Sequence, residues 1–150
     1  MKQIDIESFL SLEGYDNDIR VNRRKSKEVN SQEFFTPFNI VKKMGDKIPE
    51  EVWKDPSKNF LEPCFGNGQF VVYIIWKRLV SGIDWETALR TLWGVELMED
   101  NVYETHKRIT DLMDAMDIDY DEDLAMDIML NNLVHADFFK WDFENWKPKI

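Results

Sequence analysis

The sequence predicts an α/β fold: a parallel sheet with helices on its faces. Two observations carry that expectation. Short apolar runs bounded by turn residues alternate with longer segments of helical periodicity, in the order helix, strand, helices, strand, helices, strand. The first apolar run also leads into a glycine turn, "FLEPCFGNGQF" from Phe60 to Phe70, that opens a helix. On such sheets ligands sit at the carboxyl ends of the strands.

Residues Met1 to Asn30 are polar, with a short helix expected near Ile4 to Leu12 and a basic segment after it. In "SQEFFTPFNIVKKMGDKI", Pro37 suits the first turn of a helix, and Phe38, Val41 and Met44 then share one face. "PEEVWKDPSK" reads as a loop, or as a short helix that Pro56 ends. "NFLEP" is a short buried strand and "GNGQ" a turn, because glycine accepts backbone angles closed to other residues. "QFVVYIIWKRLVSG" follows as a helix ending near Gly82, and Asp84 caps the next. "LWGVEL" is the second strand. In "EDNVYETHKRITDLMDAM", Val102, Ile109, Leu112 and Met116 recur at helical spacing. "DEDLAMDIMLNN" is a further helix, "NLVHADFF" the third strand, and "KWDFENWKPKI" an aromatic tail.

Composition narrows the function classes. A chain of 150 residues that is 43% hydrophobic suits one domain with a real core. The net charge of -10 disfavours tight binding to nucleic acid by the chain alone, since an acidic surface repels phosphates. The charge is uneven: Arg20, Arg23, Arg24, Lys25 and Lys27 cluster early, and acids crowd Asp111 to Asp127. Each is most simply a solvated segment, with a phosphate-contacting arm and a basic-partner contact as the sharper readings. The single cysteine, Cys64, excludes a disulfide scaffold or multi-cysteine zinc site within one chain. The first residues do not fit a signal peptide, and the longest apolar run, Phe70 to Trp76, is far too short to span a membrane. A reducing, cytoplasmic setting is expected. His106 and His135 lack a metal-ligand partner at useful spacing and are read as structural, so no metal site is expected.

The three expected strand ends carry a matching set of groups. Gly66 and Gly68 allow a ligand to approach the backbone in front of a helix amino terminus. The pattern is neither G-x-G-x-x-G, as Val71 holds the third position, nor a phosphate loop. A tight structural turn is the competing reading. Glu96, ending "GVE", can accept hydrogen bonds from ribose hydroxyls, or simply be an exposed acid at a helix start. Asp137 in "HADFF" can accept from an adenine amino group and Phe138 can stack on the ring. Taken alone, that pair reads more simply as a loop aspartate beside a core phenylalanine.

Together, "EFFTP", "FLEPCFGNGQF", "WGVEL" and "HADFF" resemble, in order and spacing, the amino-terminal half of adenine-specific DNA methyltransferases that methylate the N6 amino group. The resemblance covers Ser31 to about Phe139. It implies a partial Rossmann-like sheet of the class I methyltransferase type over residues 31–150, behind a polar extension over 1–30, and S-adenosylmethionine as cofactor. It further implies that Phe35, Thr36 and Pro37 lie over the methionine end, with Glu62, Gly66 and Gly68 shaping its pocket and Phe70 packing behind. Glu96 would hold the ribose, Leu97 flank the adenine, Asp137 meet its amino group and Phe138 its ring. Cys64 takes no chemistry, only a packing or turn role.

The family's catalytic tetrapeptide, Asn or Asp, two prolines and an aromatic, does not occur in this sequence, and "KDPSKNF" is no substitute. "NWKPKI" falls about where the family's fourth strand begins, so a domain truncated before the catalytic loop is expected, with no catalytic residue of its own. In the family the fourth strand pairs beside the first. The "NFLEP" strand is therefore expected to have an open edge, covered by another chain, by a second copy of this one, or by "FFKWDFENW". Two functions follow. The chain is the cofactor-binding part of a methyltransferase whose catalytic loop and DNA reading come from a second chain, DNA being met only indirectly. Alternatively it is a non-catalytic methyltransferase-like module that binds the cofactor or a partner.

Overall fold

The computed structural model describes residues 1–12 and 35–150. The basic cluster from Arg20 to Lys27, the boundary expected near residue 30 and the first residues of "EFFTP" lie outside the described residues. The elements run α1 (Ile6–Phe9), α2 (Phe38–Asp46), α3 (Glu50–Lys54), β1 (Phe60–Glu62), α4 (Gln69–Val80), α5 (Trp85–Arg90), β2 (Leu92–Glu96), α6 (Glu99–Ala115), α7 (Glu122–Asn132), β3 (Leu133–His135), a 3-10 turn (Phe138–Lys140), β4 (Trp141–Asp142) and β5 (Lys147–Pro148). The fold is thus mixed α/β. Strands β1, β2 and β3 form a parallel sheet in that order. Glu62 lies opposite Gly94 and Glu96 opposite His135, so all the carboxyl ends share one edge.

α4 is the central helix. Val71, Val72, Ile74, Ile75 and Leu79 are all buried, each contributing about 1.5–3 kcal/mol. Its amphipathic neighbour α6 buries Val102, Ile109, Leu112 and Met113 in the same core. α4 stops at a Schellman motif: the Gly82 N–H donates to Leu79 O (3.1 Å) and the Ile83 N–H to Arg78 O (3.0 Å), with Gly82 at φ 95°. Asp84 and Asp121 cap α5 and α7 by accepting from the Thr87 and Leu124 N–H groups.

The structure revises some local expectations. α1 is a single turn capped by Asp5 rather than a helix from Ile4 to Leu12. Pro37 is the residue that caps α2, not part of its first turn. The buried face of α2 is Val41 and Gly45, whereas Met44 is 46% exposed. Gly45 is there because a Cβ would stand 2.6 Å from the Tyr73 ring. The aromatic tail is ordered as an antiparallel hairpin, β4 with β5.

That hairpin accounts for the sheet's second face. Leu61, Trp93 and Val95 alternate with the residues facing the main core. Val95 and Trp141 are buried, yet stand apart from the main hydrophobic cluster. Trp146 packs edge-on against Trp93 (5.1 Å between ring centres) and Trp141 (5.5 Å). Its indole N–H donates to Asn131 O at 2.6 Å. The tail therefore lies over a face rather than along an edge. Among the described residues β1 pairs only with β2, and Leu61 is 52% exposed beside a groove of about 320 Å³ walled opposite by Phe143 and Trp146. Among the described residues no helix is long and apolar enough to cross a membrane.

Candidate functional site

The glycine turn bridges the end of β1 and the start of α4. Gly66 (φ 57°) and Gly68 (φ 91°) both adopt left-handed backbone, closed to most side chains. Their surroundings differ. A Cβ on Gly66 would meet only a Phe35 ring atom, at 3.8 Å, whereas one on Gly68 would strike the Thr105 side chain at 2.7 Å. Gly66 leaves room for a ligand; Gly68 lets α6 pack closely against the turn.

In front of the turn is a cleft of about 220 Å³. Phe35, Thr36, Glu62, Gly66 and Phe70 line it, as do Met44, Cys64 and Asn67. Five of the residues singled out in the sequence thus share one cavity, although Phe35 and Phe70 are far apart in the chain. Burial pushes the Glu62 carboxyl above its ordinary range, and a hydrogen bond from the Cys64 N–H to Oε1 (3.2 Å) opposes that shift. The Cys64 thiol is also pushed up, first by desolvation and then by the negative charges of Glu96, Glu62 and Asp137.

Glu96 is buried at the end of β2, where its Oε2 accepts from Asn101 Nδ2 at 2.8 Å. It is not the exposed helix-start acid of the simpler reading. Asp137 is half-buried, and its Oδ1 accepts from the Phe139 N–H at 3.0 Å, capping the 3-10 turn. Pro37, Gly68, Glu96, Leu97, Asp137 and Phe138 are not part of the cleft wall. Pro37 and Leu97 are exposed, and the Phe138 ring packs against Phe139 and Phe143 (5.1 and 5.2 Å). Both histidines meet backbone carbonyls through Nε2, His106 at Leu133 O and His135 at Leu97 O, each at 2.9 Å. A carbonyl only accepts, so Nε2 carries the proton in both.

Sequence reasoning missed the bracing behind the cleft. Buried Gln69 donates from Nε2 to Leu10 O and Thr36 O, both at 2.9 Å, while its Oε1 accepts from Arg108 at 2.7 Å. Arg108 also donates to Asn67 O at 2.9 Å. One amide thereby ties α1, the Thr36 wall and α6 to the glycine turn. Only the position of Gln69, at the first turn of α4, was available as a signal; Arg108 stands 39 residues away on another helix.

Comparisons with protein-family models, with curated proteins and with solved structures found no match.

Proposed function

We propose that the chain binds S-adenosylmethionine at the carboxyl ends of β1, β2 and β3, as the cofactor-binding part of a DNA adenine methyltransferase completed by a second polypeptide. The observation that carries this reading is the cleft at the carboxyl end of β1, which brings Phe35, Thr36, Glu62, Gly66 and Phe70 together in front of the glycine turn. The cleft is below the range of whole cofactor pockets, about 300–1,000 Å³, and fits the amino-acid end of the molecule. Glu62 would take its ammonium group and Gly66 would allow close approach. Phe35 and Phe70 supply apolar walls for the thioether part. Glu96, already oriented by Asn101, would accept from the ribose hydroxyls. The cofactor supplies an electrophilic methyl group. This chain's residues bind and orient it, and none is assigned to the methyl acceptor.

The non-catalytic reading has one observation in its favour. The residues after β3 turn back as the β4–β5 hairpin rather than adding a fourth parallel strand. In that reading the same pocket serves a regulatory or partner-binding module.

Calorimetric titration of S-adenosylhomocysteine tests the shared element of both readings. One-site binding is expected, weakened about 10-fold or more in Glu96→Ala through loss of charge-assisted hydrogen bonds. Absence of binding, or equal binding by Glu96→Ala, would remove the pocket assignment.

A further inference from the structure

The cleft wall contains two adjacent buried amides with opposite circumstances. Gln69 has both ends of its amide engaged within the fold. Asn67 is 1% exposed, and its Nδ2 has no hydrogen-bond partner. A buried donor without a partner is costly, and native structures rarely leave one without a reason. Backbone geometry supplies none, because the positive φ values of this turn belong to Gly66 and Gly68 and not to Asn67. The wall also lacks a cation: no lysine or arginine lines the cleft among the described residues, while Glu62 does. A zwitterion entering it finds a carboxylate for its ammonium group and only neutral donors for its carboxylate. Asn67 lines the cleft, and the Asn side-chain amide torsion is broad, so rotation about it can present the unbonded N–H to a ligand there.

We propose that the Asn67 side chain is the neutral donor that selects a free α-carboxylate in the cleft, pairing with Glu62 to recognise an intact α-amino-acid end. This rests on the cofactor reading of the same cavity and adds to it which part of the ligand is discriminated, and by which side chain. A cavity that bound the nucleoside alone would have no use for this donor.

The test compares two probes on the full chain. S-adenosylhomocysteine carries the amino-acid end; 5′-methylthioadenosine lacks it. Asn67→Ala is expected to weaken S-adenosylhomocysteine on the order of 10-fold, the worth of one hydrogen bond to a charged group, and to leave methylthioadenosine unchanged. Asn67→Asp, which sets a carboxylate against the ligand's own, is expected to weaken the first probe further. Melting of the ligand-free protein separates this from a structural role. Removing a buried donor that has no partner is expected to leave the melting temperature of Asn67→Ala equal to or above wild type, whereas a side chain bonded within the fold would lower it. Equal losses for both probes, no loss for either, or a clear fall in melting temperature would overturn the proposal while leaving the pocket in place. Failure of wild type to bind either probe would overturn the cofactor reading and the proposal together.

Discussion

Gly66 and Gly68 look alike in the sequence and do different work. Replacing Gly68 by Ala combines left-handed strain with a 2.7 Å clash against Thr105 and is expected to cost about 2–4 kcal/mol. Gly66→Ala meets only ordinary contact and should cost about 1–2 kcal/mol, with ligand affinity falling more than stability. Urea unfolding of both variants checks the order, and an equal loss would contradict the separation of roles. Glu62 gives a pH signature. Its folded-state pKa is raised above 4.5, so the folded protein holds a proton more readily than the unfolded chain. The resulting penalty is complete above the raised value and disappears as pH falls toward 4.5. Glu62→Gln should therefore stabilise the ligand-free protein at neutral pH, with the gain vanishing in acid. Wild-type affinity for an ammonium-bearing ligand should fall over that same acid range, as Glu62 takes up its proton. Thermal melts at several pH values read the first effect, and a gain that persists below pH 4.5 would contradict it.

At the scale of elements, the short helix α3 is held by a side chain from α4. Arg78 is 1% exposed, and its Nη1 donates to Val52 O, Trp53 O and Asp55 O at 3.1, 3.1 and 2.8 Å. It satisfies carbonyls that a helix end leaves open, and its guanidinium lies 5.2 Å from the centre of the Phe60 ring. Arg78→Met keeps much of the volume and loses the donors, for an expected loss of about 3 kcal/mol in urea unfolding. A stability unchanged from wild type would show that water replaces the guanidinium there. This contact also marks what was legible. α4, α6 and the alternation of strands follow from local apolar spacing, and the cap at Asp84 from its place before a helical segment. The role of Arg78 has no local signal, because its partners are backbone carbonyls of a different helix and the loop after it. Gln69 and Arg108 are hidden for the same reason. In the cleft, Glu62 and Gly66 were readable because one ends and the other follows a strand, as was Glu96 at the end of β2. The surroundings of Gly68 and the orphaned amide of Asn67 depend on which helix packs where, which local pattern does not encode.

At the scale of the molecule, the sheet is unevenly covered. One face rests on a deep core of α4 and α6, and the other on the aromatic hairpin around Trp146. Trp146→Ala should lower stability by about 2–3 kcal/mol and expose Trp93 beside the half-exposed Leu61. Light scattering of that variant is expected to show more self-association than wild type, since apolar sheet surface seeks cover. A monodisperse variant of unchanged stability would mean that the hairpin contributes little to that face. At the carboxyl edge the end of β3 is tied to the hairpin through Phe138 and Phe143, while the end of β1 opens on the glycine-turn cleft, and the functional reading is placed at that cleft.

The measurement that bears most directly on that reading is a crystal structure of the chain with S-adenosylhomocysteine. The amino-acid end is expected in the cleft between Phe35 and Phe70, its ammonium on Glu62 and its carboxylate on Asn67, with the ribose on Glu96. Ligand bound elsewhere, or in this cleft without contact to Glu96, would contradict it.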